Sequence, residues 1–574
     1  MSRDPIADEL FRNAMVALGD EMSLTIYRTS YSGVLKNIMD YSTAICAPDG
    51  ALVAQGLALP GHLCSIPVAL RACLARHGHN LHEGDVLAMN DPFEGGMHLP
   101  DIFVFKPIFF RGKIVAIAST ICHHTDVGGR VPGSNASDST EIFAEGLRIP
   151  PLKLYDRGVA NETLFMLIER NVRMPDRVFG DIRAQLAACA IAERGVVELA
   201  EAHGEKFAEM MQAVTDHSER LTKAALAALP DGEATFEDFI DDDGIDVGKP
   251  IRLLCSVKKQ GERMWVDWTG TAPQVRGAIN NTLSYTMAAS FTAVKCIFPE
   301  NMPNNDGVFR CISVTAPAGT IANALLPAAC AARGLTGFRM FDCALGALAM
   351  LYPGRVMACG DGGNTGITIG GWTKQRKPFI YVDFLSGAWG ARPWADGLTG
   401  NTAMFANMAS FSAEVVEAEQ PVEVLANAIL PDTGGAGEHR GGLALRRDWR
   451  FLEDEAVLQV RADRQTHLPF GLSGGRPGAA GANVLNPGEE SQAKLASKLT
   501  ITLRRGQKFR HDLPGGGGYG DPLARDPARV LEDVRQGYVS VAGAARDYGV
   551  VIANDAVAVD GTEALRKTMR GAAR

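Results

Sequence analysis

The beginning of the chain carries apolar residues at helical spacing. Between positions 7 and 28 they recur three and four residues apart, at Leu10, Phe11, Ala14, Met15, Leu18 and Met22. This spacing places them on one face and predicts an amphipathic helix. A second helix is predicted for 65–76, with Ser65 as its cap and Pro67 in its first turn.

Two segments in the first part of the chain have the pattern of paired strands. Residues 41–55, YSTAICAPDGALVAQ, place β-prone residues on both sides of Pro48-Asp49-Gly50, which predicts a hairpin. Residues 101–121 contain two apolar runs separated by Arg111-Gly112-Lys113. We expect two strands here, the second of which leads the chain to His123.

Further along, the pattern changes near Pro230. Residues 181 to about 227 are rich in Ala, Leu and Glu and predict two or three helices that end at Leu229-Pro230-Asp231-Gly232. The segment IRLLCSVKKQGERMWVDWTGT alternates and turns at Lys259-Gln260-Gly261, so it predicts a hairpin. The chain is expected to end on a helix at about 527–538.

Length and composition favour a large protein with many loops. The chain has 574 residues, more than one hydrophobic core usually covers, and its 62 glycines and 29 prolines imply many tight turns. We predict a multi-domain mixed α and β fold, α+β with α/β portions. The predicted domains are an N-terminal metal-site domain with a helical end (1–230), a mixed α/β middle region (231–430) and a β- and glycine-rich C-terminal region ending in a helix (431–574).

The charge of the chain excludes some partners. Its net charge is −9, and no cluster of Lys and Arg interleaved with aromatic residues is present, so nucleic acid is not an expected partner. The N-terminus carries charges where a secretory signal needs an apolar core, and no run of eighteen apolar residues occurs. Eleven scattered cysteines fit reduced thiols. We expect a soluble, cytoplasmic protein that does not enter a membrane.

Candidate chemistry is concentrated in the first 150 residues. Imidazole and carboxylate side chains gather there in three short stretches, which include NDPFEGGMHLPD and HHTDVGG. The residues are Asp40, Asp91, His98, Asp101, His123, His124 and Asp126. A mixed set of this kind suits a divalent ion such as zinc, manganese or iron. The alternative is structural, because His and Asp in glycine-rich turns commonly cap helices or bind loop backbone.

Other catalytic signals are missing from the sequence. No GxxxxGK[ST] stretch is present to bind the phosphates of a nucleotide. Gly515, Gly517 and Gly520 formally match GxGxxG, but a proline precedes them and Asp521-Pro522 follows them, so a flexible or close-packed turn is expected instead. No GxSxG elbow occurs, and no serine or cysteine has neighbours that mark it as a nucleophile.

Several motifs together resemble the hydantoinase B family. They are NDPFEGGMHLPDI, HHTDVGGRVPGS, EGLRIPPLKL, DTGGAGEHRGG and GGGGYGDPLARDP, and they extend from one end of the chain to the other. The family includes the second half of ATP-dependent oxoprolinase and subunits of N-methylhydantoinase, caprolactamase, acetone carboxylase and acetophenone carboxylase. The chain departs from the family pattern at Met97, where related sequences commonly have threonine. This difference affects the expected substrate contacts more than the expected metal site.

The resemblance implies that two subunits carry out different steps of one reaction. A partner of the hydantoinase A type would use ATP to phosphorylate the substrate, and this chain would complete the reaction near a metal within a hetero-oligomer. The metal ligands then fall on His98 and His123, with a carboxylate from Asp40 or Asp101. His124 and Asp126 become neighbours of the ligands and candidates for proton transfer.

The sequence and the resemblance are compatible with three functions. The first is ATP-dependent hydrolysis of a cyclic amide such as a hydantoin, 5-oxoproline or a lactam. The second is ATP-dependent carboxylation of a ketone. The third is a structural role, in which the metal organises loops and catalysis belongs to the partner.

Overall fold

The N-terminal part of the protein is built around one antiparallel sheet. In the computed structural model, which describes residues 4–56, 59–62, 64–363 and 365–572, this sheet has the strand order β2-β1-β5-β4-β3-β6-β7. The elements in chain order are α1 (Pro5–Thr29), β1 (Tyr41–Cys46), β2 (Leu52–Gln55), α2 (Ser65–His77), β3 (Val86–Met89), β4 (Asp101–Phe110), β5 (Lys113–His123), β6 (Leu152–Asp156), β7 (Val159–Ala160), α3 (Glu162–Asn171), α4 (Pro175–His203) and α5 (Phe207–Ala227).

The two faces of this sheet belong to different hydrophobic cores. Along β4, Ile102 and Val104 pack into a core that includes residues of α1 and α4, whereas Phe103 and Phe105 point into the other core. This follows from strand geometry, since successive side chains point to opposite faces. The second core also contains residues of α2 and of the middle of the chain.

The middle of the chain forms a smaller sheet covered by a buried helix. Its strand order is β11-β10-β9-β8. The elements are β8 (Gly232–Ile240), β9 (Ile251–Gln260), β10 (Arg263–Asp267), α6 (Leu283–Lys295), α7 (Asp306–Phe309), β11 (Ile312–Thr315) and α8 (Gly334–Leu351). Helix α8 is long and apolar enough to cross a membrane, but 78% of it is buried inside the protein, as in a core helix.

The C-terminal part contains two further large sheets and ends in short helices. The sheets have the orders β13-β12-β18-β21 and β16-β17-β22-β19-β20. The elements are β12 (Thr365–Trp372), β13 (Pro378–Leu385), β14 (Gly387–Ala388), β15 (Thr399–Asn401), α9 (Ala413–Glu419), β16 (Val422–Ile429), β17 (Leu445–Phe451), β18 (Glu455–Arg461), β19 (Ala482–Leu485), β20 (Ala493–Leu495), β21 (Lys498–Arg504), β22 (Lys508–Asp512), α10 (Pro527–Arg535), α11 (Val541–Tyr548), β23 (Ile552–Ala553), β24 (Ala556–Val557) and α12 (Val559–Ala572).

Glycine-rich segments of this part pack backbone against backbone. A Cβ atom on Gly441 would overlap the carbonyl of Gly516, one on Gly516 would overlap the carbonyl of Trp389, and one on Gly517 would overlap that of Phe470. Only glycine permits such an approach. The GxGxxG match is therefore a close-packed turn, one of the two forms expected for it.

Most predicted elements are confirmed with small shifts. The first helix, the hairpin of β1 and β2 and the strands β4 and β5 lie where the pattern placed them. The hairpin of β9 and β10 is also present, although Gln260 still pairs with Arg263 and the turn lies at Gly261 and Glu262. The mixed α and β, multi-domain fold class is likewise confirmed.

Three local predictions were wrong in one detail each. Ser65 is the first residue of α2 and Cys64 precedes it as the cap residue, because the Ser65 hydroxyl donates to the carbonyl of His62 instead. The two or three helices expected between 181 and about 227 are present as α4 and α5, but α4 begins earlier, at Pro175, where proline suits the first helical turn. The chain does not end on α10, since α11 and α12 follow it.

The predicted domain limits stay a prediction. Strand β8 begins at Gly232, next to the expected boundary. One core cluster, however, contains residues from both sides of it, including Leu70 and Leu253.

Candidate metal centre

Strand register brings two of the predicted ligands together. Asp101 begins β4 and His123 ends β5, and the two residues are direct cross-strand partners. Their side chains lie on the same face of the sheet as Phe103 and Ile121. They therefore point toward the core that the sheet shares with α2 and the middle of the chain. Side chains at paired positions lie close enough to bind one ion.

His98 joins this pair from the loop that precedes β4. Its Nδ1 lies 2.9 Å from the carbonyl oxygen of Ala331. A carbonyl can only accept, so Nδ1 carries the proton and Nε2 presents a lone pair. That Nε2 lies 3.1 Å from Oδ1 of Asp101, and one ligand atom each from His98, Asp101 and His123 lie within 4.8 Å of one another. We call these three residues the metal triad.

The atoms of the metal triad lack hydrogen-bond partners. Among the described residues, none bonds Nε2 of His98, Oδ1 of Asp101 or either ring nitrogen of His123, although all are buried. Buried polar atoms are nearly always bonded. Two ligands about 2.1 Å from a shared ion lie roughly 3.0–3.4 Å apart, which matches the 3.1 Å between His98 and Asp101. The triad therefore fits a divalent cation.

The electrostatics of the metal triad favour the ligand forms of its side chains. Burial lowers the pKa of His98 and holds the pKa of His123 well below its usual range, so both rings are neutral at pH 7. Burial alone would raise the pKa of Asp101, but the nearby His98 and the Arg333 guanidinium hold it well below its ordinary value. Neutral imidazoles and an ionised carboxylate are the forms that bind metal.

The loop around residues 330–333 orients two members of the triad. Nη2 of Arg333 donates to Oδ2 of Asp101 at 2.7 Å, and the carbonyl of Ala331 accepts from His98. The loop is itself fixed by Glu145, whose Oε1 accepts from the backbone N–H groups of Cys330 and Ala331 at 2.8 and 2.9 Å. Glu145 is buried, and burial raises the pKa of its carboxyl well above the usual range.

Asp40 lies beside the triad rather than within it. Its carboxylate faces the same cavity as His98 and His123, and its backbone carbonyl accepts from the His123 N–H at 3.0 Å. Burial, helped by the charge of Asp101, raises the pKa of Asp40 to about 8. Its Oδ1 is 3.7 Å from Nε2 of His62, a buried histidine whose Nδ1 is 2.9 Å from the Ser42 hydroxyl.

A small cavity opens onto the triad. It measures about 50 Å³, room for a few waters in a measure where one water needs about 10–15 Å³. Its wall is mostly apolar, with a few polar groups aimed inward, as is usual for ligand sites. Its lining includes Asp40, His98, His123, Gly366, Phe384 and Arg461.

His124 and Asp126 lie apart from the cavity lining. His124 follows His123 at the end of β5, and neighbouring residues at a strand end point to opposite faces of the sheet. His124 therefore faces α4, where its Nε2 is 3.2 Å from Oε1 of Gln185. Asp126 accepts from the backbone N–H groups of Gly133 and Arg173 at 3.0 and 2.7 Å, as well as from the Arg173 side chain. Their proton-transfer role stays a prediction.

Two other acidic groups in the region already have cationic partners. Asp91 caps the short turn that follows it and lies 2.9 Å from Nε of Arg148. A second possible metal group, His82, Asp85 and Asp156, is partly exposed, and Nζ of Lys153 lies 2.8 and 2.9 Å from its two carboxylates. We infer no metal site there.

The chain is similar to known proteins over nearly its whole length. The sequence profile described as Hydantoinase B/oxoprolinase matches residues 4–522. Caprolactamase subunit beta of Pseudomonas jessenii is 34% identical over 96% of both chains. The crystal structure of the ATP-dependent caprolactamase from the same organism superposes with a TM-score of 0.93 at 30% identity, over 99% of this chain and 100% of that one. A nucleotide-free acetone carboxylase structure shares the fold, with a TM-score of 0.92 at 19% identity over 99% of this chain and 83% of that one.

Proposed function

This chain belongs to the hydantoinase B/oxoprolinase family, and from that premise we propose that it is the metal-binding catalytic subunit of an ATP-dependent cyclic amide hydrolase. The substrate would be a hydantoin, 5-oxoproline or a lactam. The observation that carries the proposal is the metal triad, whose buried ligand atoms converge within 4.8 Å and have no hydrogen-bond partner among the described residues.

In this proposal His98, Asp101 and His123 hold a divalent ion such as zinc, manganese or iron. When bound, such an ion supplies Lewis-acid chemistry, polarising an oxygen of the reacting group. Arg333 keeps one oxygen of Asp101 engaged at 2.7 Å, which directs the other oxygen toward His98. The Ala331 carbonyl fixes the tautomer of His98.

We assign proton handling to Asp40 in preference to His124 and Asp126. Asp40 lines the cavity, whereas Asp126 is engaged by loop backbone and Arg173. A pKa of about 8 allows Asp40 to hold a proton near neutral pH, and a bound cation nearby would lower that value. Asp40→Asn should keep the metal and lose turnover; loss of the metal would make Asp40 a ligand instead.

ATP would be used by a separate subunit of the hydantoinase A type. The sequence has no P-loop, and the similar Pseudomonas protein is named as a beta subunit. Transfer of a reactive phosphorylated intermediate between subunits of one complex would protect it from water. The isolated chain should therefore neither bind nor hydrolyse ATP appreciably, and tight ATP binding in calorimetry would contradict this. We also propose a cytoplasmic location, since all eleven cysteines are free thiols.

The test is reconstitution of the chain with its ATP-using partner. The complex is assayed with ATP against hydantoins, 5-oxoproline, lactams, and ketones with bicarbonate. Ring opening that needs ATP, both subunits and metal supports the proposal, whereas activity only with ketones and bicarbonate would make the protein a carboxylase subunit. Unfolding of the chain on metal removal would instead favour a structural role for the ion.

A further inference from the structure

Arg461 differs from the other buried arginines of the protein. Among the described residues seven arginines are buried, and six of them lie within 4 Å of a carboxylate. Those pairs are Arg333 with Asp101, Arg339 with Asp238, Arg440 with Asp533, Arg447 with Asp383, Arg464 with Asp342, and Arg525 with Asp396. For Arg461, which is 3% exposed, no described carboxylate lies within that distance.

The neighbours of the Arg461 guanidinium are neutral. Nη1 donates to the backbone carbonyl of Asn135 at 2.9 Å and to the Thr368 hydroxyl at 3.0 Å, and the group lies 5.7 Å from the centre of the Phe384 ring. Nη2 has no hydrogen-bond partner among the described residues. Burial lowers the pKa of Arg461 to about 9, so it stays charged at pH 7. A buried cation without a compensating anion is costly to the folded state.

The protein makes room for this cation next to the metal triad. Gly366 on β12 is the cross-strand partner of Arg461 on β18. A Cβ atom at Gly366 would overlap Nη2 and Nε of Arg461, so glycine leaves the space that the guanidinium occupies. Arg461 and Gly366 line the same cavity as His98 and His123.

The charges around the cavity favour an anion once a metal is bound. The guanidiniums of Arg333 and Arg461 balance the carboxylates of Asp40 and Asp101, when Asp40 is ionised. The buried histidines are neutral, so a divalent cation leaves the cavity with surplus positive charge. Arg333 is paired with Asp101 at 2.7 Å, whereas no described carboxylate lies within 4 Å of Arg461, so Arg461 is the lining arginine whose charge lacks a compensating anion.

We propose that Arg461 anchors an anion subsite, in which its free Nη2 binds an oxyanion group of the substrate while the metal triad faces the group that reacts. A guanidinium recognises carboxylate and phosphate oxygens through charge-assisted hydrogen bonds. The anion has two possible sources: a carboxylate of the substrate itself, or a phosphoryl group added by the ATP-using partner. This inference rests on the proposed function, because it assumes a metal in the triad.

The test measures anion binding to the metal-loaded full-length chain by calorimetry, with inorganic phosphate and acetate as separate probes. Arg461→Met should weaken binding about tenfold to a hundredfold, and Arg461→Lys should weaken it less. Arg194→Met is the matched control, because Arg194 is exposed and outside the cavity; it should bind like the wild type. Loss of phosphate binding points to a phosphoryl group, and loss of acetate binding points to a substrate carboxylate.

A second variant tests the position of the Arg461 guanidinium rather than its charge. Gly366→Ala keeps the arginine but displaces its guanidinium, so it should also weaken anion binding while the metal remains. Removing an unpaired buried cation should leave the melting temperature of Arg461→Met equal or higher, whereas a purely structural arginine would lower it.

Two results would overturn the inference: no binding of either anion to the metal-loaded wild type, or equal binding by wild type and Arg461→Met. A chain that binds no metal at all would instead contradict the proposed function, so the two failures can be told apart.

Discussion

Two clusters of buried polar side chains lie in this protein, and they differ in the groups that face one another. In the arginine cluster, formed by Arg339, Arg464, Asp238, Asp342 and Asp463, each carboxylate has a cationic partner. Asp238 lies 3.1 Å from Arg339, Asp342 lies 3.3 Å from Arg464, and Asp463 lies 2.9 Å from Lys498. In the metal triad, two neutral imidazoles face one carboxylate, and Nε2 of His98, Oδ1 of Asp101 and both ring nitrogens of His123 have no hydrogen-bond partner among the described residues.

The difference distinguishes side chains that stabilise the folded chain from side chains that are arranged to bind a ligand. The arginine cluster joins β8, α8 and the segment after β18, and Lys498 at the start of β21 pairs with it, so these ion pairs connect the middle and C-terminal parts of the chain. Breaking such a pair leaves a buried charge uncompensated. The metal triad contributes less to stability without an ion, because its members bring ligand atoms rather than mutual bonds.

The largest expected effect is on stability. Arg464→Met removes the guanidinium that lies 3.1 Å from Asp238 and 3.3 Å from Asp342, and should destabilise the protein by roughly 3–5 kcal/mol. Thermal unfolding followed by circular dichroism measures this. His123→Ala, a truncation at the metal triad, is the comparison and should melt close to the metal-free wild type. If Arg464→Met melted like the wild type, the cluster would not be structural.

The next effect is on metal affinity and comes from Glu145. Glu145→Leu leaves the N–H groups of Cys330 and Ala331 without their acceptor, which should loosen the loop that orients His98. We expect metal affinity to fall about tenfold to a hundredfold, as for other groups behind metal ligands. Glu145→Gln keeps an acceptor oxygen and should restore most of the affinity. Titration with cobalt(II), followed by its visible spectrum, reports both affinity and geometry; identical spectra and affinities in all three proteins would refute this role.

A smaller effect concerns acid stability and a site far from the triad. Burial alone would raise the pKa of Asp396, but two bonds from Arg525, at 2.7 and 2.8 Å, lower it to about 2. A depressed folded-state pKa contributes stability that is present above the unfolded value near 4 and is lost as the pH falls toward 2. The contribution should be about 2 kcal/mol at neutral pH.

The measurement is urea unfolding at pH 7 and at successive steps below pH 4. Asp396→Asn should be less stable than the wild type at pH 7, and the difference should shrink as the pH falls. A difference that did not change with pH would show that charge is not its source.

The sequence predicted the part of the site that local patterns control. Asp101 and His123 come together because the apolar runs before and after Arg111-Gly112-Lys113 form paired strands, which the alternation indicated. His98 could be predicted to lie near this pair because only two residues separate it from Asp101 in the sequence. The helices α1, α2, α4, α5 and α10 also fall in segments whose sequence pattern predicted a helix, whereas the fold class followed from length and from glycine and proline content.

The residues that pattern analysis missed come from distant parts of the chain. Arg333 and Arg461 lie more than 200 positions from the triad in sequence, and no spacing rule connects them to it. Glu145 lay within a motif of the family resemblance, EGLRIPPLKL, but nothing local marked its carboxyl as buried. Whether His124 faced the same side as His123 depended on where β5 ended, which periodicity locates only within a few residues.

The most direct test of the account is elemental analysis of the purified chain and its two ligand variants. We predict about one equivalent of zinc, manganese or iron in the wild type. His98→Ala and His123→Ala should be soluble, metal-poor and folded, because a core of this size does not depend on one ion. They should assemble with the ATP-using partner without completing turnover. A full equivalent of metal retained in both variants would contradict the assignment of the metal triad.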